Sequence, residues 1–190
     1  MSRPELFVTL AVGENCDMSA FALRSSLEYF GAKVNVHWIG RPNDLIDILS
    51  GSYLDNPCDY LILDFHGDEG RLYMTELDSE VYEPDEPRGK FFDYHQVRKY
   101  TKLKNINVIA NGCTLGDENL AKAFLDCGCK SYIGPNDYID GNSALMFLIA
   151  FMYEVINNKK SQKEAFEIAK SIDDETRLYR LYLNESDKNR

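Results

Sequence analysis

The sequence predicts an α/β fold: a three-layer α/β/α sandwich built on a mostly parallel sheet. Three observations carry that expectation. Short apolar runs rich in Val, Ile and aromatic residues alternate with stretches of helical period along most of the chain. Strand–helix alternation at this spacing makes successive strands parallel and covers both faces of the sheet with helices. The 190 residues suffice for one proper core and are short for two, so residues 1–190 are expected to form a single domain.

The elements follow in order. "ELFVTLAV" (Glu5–Val12) reads as a first strand. "SAFALRSSLEYF" is a helix with Leu23, Leu27 and Phe30 on one face and Gly31 placed to stop it. "KVNVHWI" is the second strand, and "NDLIDILSG" a short helix with Asn43 as its expected cap. "DYLILDF" is the third strand, with "RLYMTEL" in a hairpin beyond it. Asp78 to Asp93, rich in acids, Pro and Gly, reads as an exposed loop. His95, in "FFDYHQVRKY", falls on a helix flank. "INVIAN" (Ile106–Asn111) is the fourth strand, "DENLAKAFLDCG" a helix and "KSYIG" the fifth strand. Two helices close the pattern. One is apolar nearly all round, hence buried; the other opens on a capping box, Ser161 with Glu164, and repeats Ala165, Ile168, Ala169 and Ile172.

Composition narrows the chemistry. A formal charge of −10 argues against nucleic acid, which needs a basic footprint, and makes cationic partners the easier ones. The longest apolar stretch, Ala144 to Tyr153, is half of the ~20 residues a membrane span requires, so no membrane partner is expected. No signal segment opens the sequence. Cys16, Cys58, Cys113, Cys127 and Cys129 are odd in number and irregularly spaced, which points to reduced thiols in a cytoplasmic setting. Cys127-x-Cys129 has no histidine near it in sequence, so no metal is expected. "GENCDMS" after the first strand has neither a G-x-G-x-x-G turn nor a P-loop lysine, and no cofactor is implied.

In an open parallel sheet, ligands bind beyond the carboxyl ends of the strands. His66-Gly67 follows the third strand and Cys113 the fourth, so an imidazole and a thiol leave successive strand ends. A free thiol, with a pKa of about 8.5, is mostly protonated at neutral pH. A neighbouring imidazole takes that proton and later supplies one to a leaving amine. The developing oxyanion needs amide donors, and the N–H groups of Gly67 and Cys113 are candidates for them.

His-Gly after the third strand and Cys after the fourth resembles the pattern of the caspase-like (clan CD) cysteine peptidases. In caspases the histidine precedes the cysteine by about 50 residues; here the separation is 113 − 66 = 47. Downstream, a helix ending at Gly128, a strand, an Asp before a long helix with Phe-Met-Tyr, and a helix opening on Ser161 look like the tail of a CHAT domain. The resemblance covers roughly Phe7 to Lys170 and implies a caspase-like fold. It implies a thiol protease with catalytic His66 and Cys113, acting on a protein or peptide substrate. Asn111-Gly112 stands where caspases carry Gln-Ala, so their pocket chemistry does not transfer. CHAT domains commonly follow helical repeats, none of which is present in this sequence, so a regulator would be a separate protein.

The acids near the fifth strand complete the expectation. Asp140 reads as a helix cap; either Asp137 or Asp140 is a candidate to line a specificity pocket and pair with an Arg or Lys. Cleavage after basic or neutral residues is expected from them. Asp64 also fits the phosphorylated Asp of a receiver domain, but neither "GENCD" nor "GPNDY" supplies the partners cleanly. The alternative of another class is a catalytically silent caspase-fold module that binds a protein or a ligand.

Overall fold

The computed structural model describes residues 6–54 and 56–184; Glu5 of the expected first strand lies outside them. In chain order the elements are β1 (Leu6–Val12), α1 (Asp17–Phe30), β2 (Ala32–Trp38), α2 (Pro42–Ser50), β3 (Tyr60–Asp64), β4 (Gly67–Asp68), β5 (Arg71–Tyr73) and β6 (Phe91–Phe92). Then come α3 (Tyr94–Tyr100), β7 (Asn107–Asn111), α4 (Glu118–Asp126), β8 (Ser131–Pro135), α5 (Gly141–Ile156), α6 (Gln162–Lys170) and β9 (Tyr179–Leu183).

Six strands form one sheet in the order β2-β1-β3-β7-β8-β9, all parallel except the pairing of β8 with β9. Strand alternation divides the core in two. Val8, Leu10, Tyr60 and Ile62 face the helices α1, α5 and α6, while Ala11, Leu61 and Leu63 face α2, α3 and α4. This is the expected three-layer arrangement. β3 is buried along its whole length because it is a central strand covered on both sides, which is why it reads as an unbroken apolar run.

Local chemistry sets the boundaries. Gly31 and Gly51 end α1 and α2 in left-handed conformations, which glycine adopts without strain. Ser161 and Glu164 form the expected capping box of α6. Three expectations need correction. α2 begins two residues early, capped by Arg41 with Pro42 in its first turn, so Asn43 lies inside the helix. Ile168 and Ile172 are exposed at 42% each: α6 offers Ala165, Phe166 and Ala169 to the core, and Ile172 lies beyond its end at Lys170. β9 was not expected at all.

The 78–93 stretch is mostly exposed, as expected, but it is fastened at one point. The Glu86 side chain is buried and accepts hydrogen bonds from Arg41 Nε at 3.0 Å and the Asn43 amide at 3.0 Å, both at the start of α2. The stretch ends in β6, which completes a small antiparallel sheet in the order β4-β5-β6. That sheet begins immediately after His66.

Candidate active site

The third and fourth sequence strands of the parallel sheet, β3 and β7, end side by side, with Asp64 and Asn111 in register. The Phe65 amide donates to the Asn111 carbonyl, which extends the pairing by a residue. The chain then crosses itself closely. A Cβ added at Gly67 would lie 2.2 Å from the Cys113 carbonyl oxygen, and one at Gly112 would lie 2.0 Å from the Phe65 carbonyl oxygen. Any side chain at either position would force the two strand ends apart. Glycine next to His66 and next to Cys113 therefore has a steric reason.

The turn bearing Cys113 is held from several directions. Thr114 sits at φ 59°, a left-handed conformation unusual for a β-branched residue. Its amide donates to the Asp137 carbonyl at 3.0 Å, and its hydroxyl accepts from the Gly70 amide at 3.0 Å. Tyr132 and Tyr182 donate to the carbonyls of Leu115 and Gly116 at 2.7 and 2.8 Å. A non-glycine residue in such a conformation persists only where the surroundings over-determine it, and such residues cluster at functional sites.

His66 and Cys113 line one cleft of about 420 Å³ at the carboxyl end of the sheet. Its walls come from the start of α1 (Asn15, Cys16, Met18, Ser19) and the start of α5 (Ile139, Asn142, Leu145). His66 is exposed and Cys113 half-buried, with the Cys113 thiol 3.6 Å from the Ile139 carbonyl. The Tyr73 amide donates to the His66 carbonyl, which makes Gly67–Leu72 a widely spaced pair of the β4–β5 ladder. The Gly67 amide thus points away from β5.

The remaining candidates fall elsewhere. Asp140 caps α5, its carboxylate accepting from the Asn142 amide at 2.9 Å. Asp137 is exposed and its carboxylate turns back on the Tyr138 amide at 2.8 Å. Neither lines the cleft. The loop between β8 and α5 reaches the site through the Asp137 carbonyl and through Ile139. Tyr138, between them, donates to Asp68 Oδ1 at 2.6 Å. His37 lies on edge strand β2 with its Nε2 buried and without a hydrogen-bond partner, and His95 is exposed in the first turn of α3. Among the described residues no His, Cys, Asp and Glu group is arranged to hold a metal.

The acid that does line the cleft is Asp64, only 2% exposed. Oδ1 accepts from Asn111 Nδ2 at 2.9 Å and Oδ2 lies 2.6 Å from the Ser19 hydroxyl. Asn111 Oδ1 in turn accepts from the Tyr179 hydroxyl at 2.6 Å, and the Tyr179 ring stacks on Phe147 at 3.6 Å. Burial pushes the Asp64 carboxyl up from its usual range, against the opposing pull of Ser19, Asn111 and His66. Burial also raises Cys16, whose thiol shares the cleft, to about 12. Sequence patterning did not single out this chain from α1 to β9, since its members are far apart in sequence. The one signal was a run of five residues, Tyr60 to Asp64, that ends on an acid within a buried strand.

No protein-family profile matches the chain, and no curated protein matches it in sequence. Among solved structures it is similar to the separase of the Saccharomyces cerevisiae separase–securin complex, with a TM-score of 0.61 over 95% of this chain. The fold is caspase-like. Identity to that separase is 9% and the aligned region spans 12% of its length, so the likeness speaks for architecture alone. The caspase-like sheet carries His66 and Cys113 at neighbouring strand ends and opens its cleft towards α1 and α5.

Proposed function

We propose that this caspase-like chain is a cysteine endopeptidase with Cys113 as nucleophile and His66 as general base and acid. The observation that carries the reading is that both residues line one cleft while their backbones interlock through Gly67 and Gly112. In the first step the Cys113 sulfur bonds to the scissile carbonyl carbon and its proton passes to the His66 imidazole. The carbonyl oxygen takes up negative charge between the amides of Gly67 and Cys113. Collapse breaks the C–N bond, His66 returns the proton to the leaving amine, and an acyl-thioester remains. Water then adds to the thioester with His66 taking its proton, which releases the acid and restores the thiol.

The expected substrate is a protein or peptide cleaved after a basic or neutral residue, since none of the cleft's lining residues is Lys or Arg. A separate regulatory protein is a second expected partner; the yeast separase is itself recorded in complex with securin. The CHAT-like features downstream remain a resemblance in sequence. One observation favours the silent-module reading: the Cys113 thiol is turned on the Ile139 carbonyl. A positional library of fluorogenic peptides, run with the wild type and with Cys113→Ala and His66→Ala, separates the two. Turnover lost in both variants supports the peptidase, and turnover unchanged in Cys113→Ala overturns it.

A further inference from the structure

A buried carboxylate usually has a cation or several strong donors as partners, because desolvating an unpaired charge is costly. Asp64 has no Lys or Arg beside it in the cleft, and the charge that pulls on it is that of His66. Its oxygens meet one amide and one hydroxyl, and the Ser19 hydroxyl also lies 2.9 Å from the Cys16 carbonyl, so its single proton has two acceptors. An ionised carboxylate has about four lone-pair sites, so acceptor capacity is left over. Asp64 is one of the residues that line the cleft, and no Lys or Arg lines it.

The surroundings carry the same sign. Glu14 and Asp17 flank the α1 wall, and Asp68 and Glu69 follow His66 closely in the chain. The nearest Lys or Arg in that segment, Arg71, is already paired with Asp68 and Glu69. The same cleft is lined by the apolar side chains of Met18, Ile139, Ala144 and Leu145. A cleft lined by these apolar side chains together with one acid suits a long alkyl stem carrying a cationic tip.

From this geometry we infer that Asp64 is the specificity-determining residue of the cleft and receives the guanidinium or ammonium of the substrate residue beside the scissile bond. The inference rests on the peptidase reading for the word substrate; the cation site itself does not. Asp137 and Asp140, the acids suggested by sequence, take no part, because their carboxylates serve the loop and the cap of α5. The buried neutral donors then have a second use: they hold the carboxyl in place for an incoming charge.

The test uses the intact protein, Asp64→Asn, Met18→Lys and Cys113→Ala. Asparagine is isosteric, can still accept from Asn111 and can donate to Ser19, so Asp64→Asn is expected to fold. Met18 is 82% exposed at the cleft wall, so a lysine there adds an opposing cation without disturbing the core. Peptidyl acyloxymethyl ketones ending in Arg, Leu or Asp are compared by their rates of Cys113 modification. Fluorescence of p-aminobenzamidine measures cation binding independently in Cys113→Ala, with and without Asp64→Asn. The expected result is an Arg over Leu preference of roughly ten- to a hundredfold, the range of a charge-assisted contact. Asp64→Asn removes that preference, Met18→Lys reduces it, and p-aminobenzamidine binding falls with Asp64→Asn. Equal rates for Arg and Leu in the wild type, or an Arg preference and amidine binding unchanged by Asp64→Asn, overturn the inference. Amidine binding that depends on Asp64, with no probe modifying Cys113, upholds the cation site and overturns the peptidase.

Discussion

Gly67 meets the Cys113 carbonyl so closely that a single methyl group is enough to part the two strand ends. Gly67→Ala is expected to cost about 1–3 kcal/mol by overpacking and to abolish Cys113-dependent turnover. Urea denaturation and peptide hydrolysis read the two effects separately. Asp64 shows the opposite balance of stability and use. Its carboxyl is raised by burial, so the folded state holds the proton more tightly than the unfolded chain does. Stability is therefore lost as pH rises through the interval between the unfolded and folded values, and above it the penalty is full. Asp64→Asn removes the penalty, so the variant is expected to be at least as stable as the wild type at neutral pH, checked by thermal melts across pH. Asp64→Ala, which strands the Asn111 donor while the Ser19 hydroxyl keeps the Cys16 carbonyl, is expected to lose about 1–3 kcal/mol. His66, Gly67 and Cys113 were legible because each follows the end of an apolar run, where the rule for parallel sheets directs attention. The role of Asp64 was not, since it depends on the in-register contact of β3 with β7 and on a hydroxyl from α1.

Glu86 fastens the acidic loop to α2, and its carboxyl is lowered to about 2, chiefly by its hydrogen bond from Arg41. A carboxyl with a depressed folded value contributes stability above its ordinary value of 4.5, and that contribution is lost as pH falls through about 2. Glu86→Ala is expected to destabilise by about 2–4 kcal/mol at neutral pH, less than a fully buried pair because Arg41 remains partly exposed. The gap between wild-type and variant urea midpoints is expected to close as pH falls across that interval. Composition predicted an exposed loop and was right for most of it. A single buried acid cannot be told from its exposed neighbours when five acids lie within ten residues, Asp78 to Glu86. β9 was missed for a different reason. "YRLYL" does alternate at period two, but it follows a helix without a following partner in the parallel pattern, and it pairs antiparallel with β8. Its Tyr179 supplies the hydroxyl that holds Asn111 behind the cleft. Tyr179→Phe keeps the ring on Phe147 and is expected to cost about 1 kcal/mol, read by chemical denaturation.

At the scale of the whole molecule, the alternation of strands and helices specified the layers, and the order of chemistry-bearing residues specified which end of the sheet matters. The architecture follows from the sheet itself: β3 and β7 lie adjacent at its centre, and His66 and Cys113 each stand two residues beyond their ends. The five cysteines divide accordingly. Burial raises Cys16 and Cys129 to about 12 and raises Cys127 as well, and the Cys58 thiol donates to the Tyr60 carbonyl at 3.3 Å. Cys113 stands half-buried in an open cleft beside a histidine. The most direct measurement of the central claim is modification of the native protein by a peptidyl acyloxymethyl ketone ending in Arg, with the labelled residue mapped by mass spectrometry and the rate compared with His66→Ala. The account predicts a single adduct, on Cys113, whose formation slows at least about tenfold without the imidazole. Adducts spread over several cysteines, or labelling of Cys113 at the same rate in His66→Ala, would contradict it.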